Sequence, residues 1–482
     1  MQPSRPVRTA AFWVMTICGL AWLALSMITA HAAPNARPLL GGARGTVHGQ
    51  KGEPLEGVGV QFISQKTAIR TTVYTNEEGR YEFPVLEAGV YTLRVPRPLE
   101  FKPYVKESVR IDGATQLEDI RLERVSTTEF LPPTPEILAQ LTGSEWMLNL
   151  PGTGEEKRVF TLGCGMGCHS YQQVFRNHYD ERSWQLILQR MLRSSSSTLF
   201  GDLTPTATTL DRAGRPMLED EALMAKWLGR VRGPDVKEPP LHYLPRERGR
   251  ATRVIVTEYE LPRELLAPHD VHADAKGNIW YSAHRSAYSG VLDPRTGSVK
   301  EYRLPEKEKA TEGALPGTHR VWVDQQGLVW FWEGWARQLT AFDPRAWRVV
   351  KRYDKRNPDG AVVGQGPNFA MDSAGYVYQV YRNIVVKTDS KTGEVVQQFP
   401  LKKLAANYDN IITPDGRYWA GGQAFGNWIG MLDTKTGEVW EAETQTLQSN
   451  PARGGFDPQG NAWFGGRGGA LLKMDAKTHR VT

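Results

Sequence analysis

One hexapeptide concentrates the chain's clearest chemistry. Cys164-Gly-Met-Gly-Cys168-His169 brings two thiols and an imidazole into six consecutive residues. Two thiols can add to the vinyl groups of a haem, and a histidine directly after the second thiol can reach the iron on its proximal face. The usual spacing leaves two residues between the thiols. Here there are three, and Gly165 and Gly167 let the extra one bulge. A c-type haem is therefore expected on Cys164, Cys168 and His169, with His169 as an iron ligand. Met191 is the first candidate for the sixth ligand, followed by Met217, Met224 and His178. A thioether there raises the reduction potential relative to a second imidazole. Two other chemistries stay open. One is a local disulfide, which residues four apart on a regular helix reach only at the long end of the permitted Cα range. The other is a zinc site with His178 as the nearby fourth ligand.

A second group lies downstream. His269, His272, His284 and His319 fall within 51 residues and Glu333 follows. The histidines either line a channel mouth or cap strands. General acid–base chemistry needs a positioned base and an electrophilic stabiliser.

The elements that must hold these groups begin with an address. Arg5 and Arg8 precede the uncharged apolar run AAFWVMTICGLAWLALSMITA, and Ala30-His31-Ala32 offers a small-x-small cleavage site. Residues 1–32 read as a secretory signal peptide, the alternative being an uncleaved anchor. The protein is expected in the periplasm or outside the cell, the compartment in which haem c is attached. Of three cysteines, Cys18 leaves with the signal, and the remaining two sit in the hexapeptide. A disulfide-stapled secreted protein would spread them over distant strands. Lys and Arg exceed Asp and Glu by 59 to 53 with no dense patch, so no nucleic-acid partner is expected.

Three regions follow. Residues 42–125 contain six or seven short alternating runs (GTVHG, VGVQFIS, AIRTTVYTN, GRYEFPVL, GVYTLRVP, VKESVRI) separated by turns, which predicts a β-sandwich. In residues 126–235, Pro132-Pro133-Thr134-Pro135 reads as a linker. SYQQVFRNHYDERSWQLILQRML then carries Val174, Trp184, Ile187, Leu188 and Met191 at helical spacing, and EDEALMAKWLGRVRG gives a second helix, acidic first and basic last. In residues 251–482 a turn of Asp-x-x-Gly type recurs five times, at Asp274, Asp324, Asp372, Asp415 and Asp457. An aromatic follows each time (Trp280, Trp330, Tyr378, Trp419, Trp463), and a strand then closes on Asp293, Asp343, Asp389, Asp433 or Asp475. The aromatics are 41–50 residues apart, as one four-stranded propeller blade per repeat requires.

Three resemblances fit this layout. The order GTV, G.PL.GV.V and T.E.G.Y.F..L..G.YTL.V resembles the carboxypeptidase regulatory-like domain. That implies a transthyretin-type sandwich without catalytic residues, acting as a spacer or as an adhesion unit toward a carbohydrate or surface partner. CHSYQQVFRN…W…LQRM resembles short cytochrome c domains fused to lyase-like propellers, which implies electron transfer with a redox partner. GLVWFWEG (327–334), WIGMLDTKTGEVWE (428–441) and EYRLP (301–305) resemble the virginiamycin B (streptogramin) lyase propeller. That family has seven blades and opens a cyclic depsipeptide by elimination, with histidine, glutamate and a magnesium ion. The resemblance carries the glutamate role to Glu333. The corresponding positions of the other repeats hold Ala283 or His284, Val380, Gly421 and Gly465. With five repeats visible, VTEYELP (256–262) is expected either to complete the last blade or to leave an open or truncated propeller.

The fold class is thus multidomain and mainly β: a sandwich, a small cytochrome c-like helical domain and a propeller. The function expected is an exported c-type haem protein whose propeller binds a ligand or partner. A lyase-like enzyme or a non-enzymatic scaffold is the alternative.

Overall fold

The computed structural model describes residues 40–97, 99–125, 130–164, 171–198, 221–263, 266, 268–283, 286–304, 317–333, 338–354, 368–381, 383–404, 407–423, 426–446, 449–466 and 470–482. The proposed signal peptide, Cys168, His169, Met217 and His284 lie outside the described residues. No described helix is long and apolar enough to cross a membrane.

The alternating runs of the first region form β1 (Arg44–Gly49), β2 (Gly59–Ser64), β3 (Arg70–Tyr74), β4 (Arg80–Glu82), β5 (Gly89–Val95), β6 (Tyr104–Ile111) and β7 (Ile120–Leu122). One sheet runs β4-β1-β7 and the facing sheet contains β3-β2-β5-β6. Inward residues such as Val47, Phe62, Phe83, Leu93 and Ile120 are fully buried between them. Phe62 packs on Phe83 at 4.5 Å and on Tyr91 at 5.4 Å between ring centroids. The Glu77-Glu78-Gly79 turn needs its glycine. Gly79 has φ +71°, and a Cβ there would meet the Val47 carbonyl oxygen at 2.6 Å.

An eighth strand joins this sandwich from far along the chain. β10 (Val256–Glu258) pairs antiparallel with β3, Val256 opposite Thr72 and Glu258 opposite Arg70. Of the two expectations for VTEYELP, completion of the last blade is set aside: its first residues extend the sandwich edge. Gln61 donates to Glu258 at 3.1 Å and Arg70 pairs with Glu260 at 2.8 Å, which tie the connection down.

The second region is more helical than its sequence suggested. After β8 (Phe130–Leu131), which pairs with β9 (Leu241–His242), come α1 (Pro135–Leu138), α2 (Gly143–Asn149) and α3 (Gly154–Cys164). Thr134-Pro135 is therefore a helix start and not only a linker: Thr134 caps α1 and proline takes its first position. Thr142 and Glu145 form a capping box on α2, and Thr153 with Glu156 exchange the same bonds before α3. The long helix expected over 170–192 is broken into α4 (Tyr171–Phe175) and α5 (Glu181–Thr198). Asp180 starts α5 by accepting from the Ser183 N–H at 2.7 Å. α6 (Glu221–Val231) buries Met224, Ala225, Trp227, Leu228 and Val231 on one face. Phe160, Phe175, Trp146 and Trp227 form the centre of this unit, with Phe160 4.7 Å from Phe175 and 5.4 Å from Trp227.

The five repeats form five antiparallel sheets in chain order. Four have four strands: β11–β14 (residues 268–303), β15–β18 (318–354), β19–β22 (370–400) and β23–β26 (407–443). The fifth, β27–β29 (451–474), has three. The physical basis of the repeat is a pair of hydrogen bonds. One aspartate oxygen accepts backbone N–H groups two and four residues on, and the other accepts from the aromatic six residues on. Trp280 reaches Asp274 at 3.4 Å, Trp330 Asp324 at 2.8 Å, Tyr378 Asp372 at 3.1 Å and Trp463 Asp457 at 2.8 Å. The fourth repeat departs: Thr413 stands at the aspartate's place, and Trp419 donates to Asn410 at 3.1 Å. Apolar clusters join the first sheet to the second, the second to the third, the third to the fourth and the fourth to the fifth. Among the described residues no such cluster joins the fifth to the first.

Candidate functional site: a charged centre on the inner strands

The inner strand of a blade is the first of its sheet. Register shifts interrupt β11 between Pro268 and Val271, β15 between Thr318 and Val321, β23 between Asn407 and Asp409, and β27 between Pro451 and Gly454. A bulge re-aims the side chains of the strand that carries it. These four irregularities bring His269 and Asp270, His319 and Arg320, Asp409, and Arg453 together, with Asn368 from the segment preceding β19.

Arg453 is the hub. It donates to Asn368 Oδ1 at 3.1 Å and to His269 Nδ1 at 3.2 Å, and it pairs with Asp270 at 3.1 Å. Arg320 pairs with Asp409 at 3.1 Å and lies 3.6 Å from Asp270. Asp409 also accepts the Gly454 N–H at 3.1 Å. The rings of His269 and His319 are 3.9 Å apart. Asn368 orders the protons: its oxygen faces Arg453 and His319 Nδ1, 3.0 Å away, while its amide donates to the Tyr408 carbonyl. His269 Nδ1 sits between the Arg453 guanidinium, which only donates, and the His319 carbonyl oxygen 3.3 Å away, which only accepts. His319 donates from Nδ1, which makes Nε2 its basic nitrogen.

Two carboxylates and two guanidiniums balance in charge. His319 and Asp409 are buried, whereas Arg453 keeps a third of its side chain in solvent. Burial raises the Asp270 carboxyl above its ordinary range, against the pull of Arg453 and Arg320. The arrangement can hold a polar ligand through Arg453, whose side chain reaches solvent.

The histidines expected from sequence divide. His269 and His319 meet here. His272 packs on the Trp322 ring at 4.8 Å, and its Nδ1 accepts the Val323 N–H at 3.4 Å. Glu333 is fully buried at the end of β16 (Val329–Glu333), where it accepts from Thr340 and pairs with Arg352 at 3.1 Å. Ladder pairing corrects its counterparts in three blades. Glu333 faces Thr318 across the sheet, and the matching ends are Ala283, Gln423 and Gly466, with Tyr381 closing the third hairpin. The same strand ends were expected at Val380, Gly421 and Gly465. Asp270, Arg320, Asn368, Asp409 and Arg453 were not anticipated. Their signal was present, since His269, His319 and Tyr408 each stand five residues before Asp274, Asp324 and Thr413, with the charged residue of each pair next to them.

Around the hexapeptide, α3 ends on Cys164. Met191 on α5 is exposed, whereas Met224 is buried in the helical core. His178 lies 3.0 Å from the Gly233 carbonyl and 2.6 Å from Arg232, so its ring is committed to the fold. Among the described residues, no three His, Cys, Asp or Glu side chains group closely enough to hold a metal ion. A groove of about 1280 Å³ runs between the sandwich and residues 249–255, lined by Arg44, Tyr74, Asn76, Arg80, Gln116 and Arg253 among others.

Residues 42–123 match the carboxypeptidase regulatory-like domain family. The two-sheet sandwich over the same residues has the architecture expected of it. No curated protein matches the sequence of the chain. Among solved structures, virginiamycin B lyase from Staphylococcus aureus is similar at 17% identity, over 48% of this chain and 73% of that one, with a TM-score of 0.39. A streptogramin B lyase is similar at 19% identity, over 46% and 70%, also with a TM-score of 0.39. Kuenenia stuttgartiensis hydrazine synthase is similar at 16% identity over 45% and 78%, with a TM-score of 0.32. The blade architecture itself rests on the chain's own strands and their register.

Proposed function

We propose that the chain is an exported protein whose propeller binds a small polar ligand or partner at its charged centre, and whose helical unit carries a c-type haem for electron transfer. The observation that supports the first half is the convergence of His269, Asp270, His319, Arg320, Asp409 and Arg453 from separate inner strands. A balanced charged cluster is costly to bury for stability alone. Arg453, the most exposed of its paired groups, is the natural contact for a ligand carboxylate. Native mass spectrometry of protein purified from its host tests this. A bound mass is expected on the parent and not on Arg453→Met; a bare parent, or an unchanged adduct on the variant, refutes it.

The haem half rests on the donor set. Cys164 closes α3, the thiol–imidazole pair Cys168-His169 stands just before α4, and Met191 offers an exposed thioether on α5. A bound haem would supply one-electron redox chemistry. The chain's part is to tether it through Cys164 and Cys168 and to ligate it through His169 and Met191. A pyridine haemochrome spectrum from protein made with the c-type maturation machinery, absent in Cys168→Ser, is the expected result. Lack of covalent haem in the parent removes this half.

A lyase-like elimination is the second reading, favoured by the close approach of the His269 and His319 rings, with magnesium as the metal such chemistry would use. Ring opening of a cyclic depsipeptide that is lost on Glu333→Ala while the variant stays folded would favour it. The groove on the sandwich is where a carbohydrate or surface partner would dock.

A further inference from the structure

Three guanidiniums surround one buried carboxylate where the sandwich meets the segment leading to the propeller. Glu100 is about 95% buried and pairs with Arg97 at 2.6 Å. Arg246 and Arg124 lie 3.6 and 3.7 Å from its other oxygen. Nearby Arg248 has its own partner in Glu56, 3.7 Å away. Three positive charges against one negative leave the cluster at +2. Arg97 spends one N–H on the Leu244 carbonyl at 3.1 Å. Arg246 Nη1 and the Tyr243 hydroxyl are both buried without a hydrogen-bond partner. Unpaired buried charge and unmet buried donors each cost stability, and both would be met by one anion. Burial followed by Arg97, Arg124 and Arg248 weakens the hold of Arg246 on its proton, against the pull of Glu100.

We propose that Arg97, Arg124, Arg246 and Tyr243 form a binding site for a phosphate-bearing group. A phosphate near neutral pH carries about −1.5 to −2 charges and several acceptor oxygens, which suits a +2 cluster whose donors come from separate segments. The half-exposed Arg124 marks the side open to solvent.

The test uses the purified full chain, thermal denaturation and inorganic phosphate at constant ionic strength, with chloride as the reference anion. A saturable rise in Tm with phosphate alone is expected. Arg124→Gln changes an exposed group, so it should keep the phosphate-free Tm while weakening the apparent affinity about tenfold. Arg246→Gln should abolish the response. Equal shifts with chloride and phosphate, or unchanged affinity in Arg124→Gln, overturn the proposal. Sedimentation with phosphatidylglycerol vesicles, against phosphatidylcholine vesicles, identifies the source. Binding that Arg246→Gln removes assigns a lipid headgroup, and a phosphate response without vesicle binding assigns a free phosphate compound.

Discussion

At the scale of single residues, buried partners of carboxylates hold the blades together. Glu333 is sealed in its sheet and neutralised by Arg352, so its removal leaves a guanidinium stranded. Glu333→Ala should lower stability by about 3 kcal/mol, with Glu333→Gln milder because it still accepts from Thr340. Urea unfolding of both variants checks this, and separates a structural loss from any loss of activity. Asp324 holds the buried Trp330 indole. Asp324→Ala orphans that N–H and should cost about 2 kcal/mol by the same measurement. The spacing of aspartate and aromatic was legible in the sequence because the contact is local. The partners of Glu333 were not, since Thr340 and Arg352 reach it through strand pairing.

At the scale of elements, the helical unit shows how local signals can be overlooked. Thr142 with Glu145 and Thr153 with Glu156 are capping boxes written in the sequence at the starts of α2 and α3, outside the longer apolar stripes that predicted the other two helices. Thr142→Ala should destabilise this unit by about 1 kcal/mol, seen as a lower midpoint in the Trp146 and Trp184 fluorescence signal. The break between α4 and α5 is harder to read, because a continuous apolar stripe runs across it. In the propeller, His272 is half-buried against Trp322, and His479 is partly buried, stacked on Trp440 at 4.0 Å. Burial holds both below the ordinary imidazole range. The folded state then binds fewer protons than the unfolded one. The stability they contribute is present above about pH 6.5 and is lost as pH falls toward their folded values. Tm should therefore drop between about pH 7 and 5, and less steeply in His272→Gln.

At the scale of the whole molecule, β10 is the decisive connection. It leaves the helical unit, adds an edge to the sandwich and then enters the first blade, so the sandwich is anchored to the propeller entry by backbone pairing. Thr257→Pro removes a backbone donor in the middle of that strand. Faster proteolytic cleavage within residues 250–262, with propeller unfolding unchanged, is the expected outcome.

The sequence by itself determined the three-part layout, the sandwich family of residues 42–123, the five repeats and the hexapeptide, because each is carried by short-range patterning: alternation, turn glycines and fixed offsets. Tertiary structure alone decided that residues 256–258 belong to the sandwich. It also decided that Glu333 is sealed by Arg352, and that two histidines, two aspartates and two arginines meet at one centre. Those outcomes depend on bulges and on pairings between residues up to 184 apart in the chain, as for Arg453 and His269. A one-residue shift of register redirects a side chain to the other face of a sheet, and no local pattern records it.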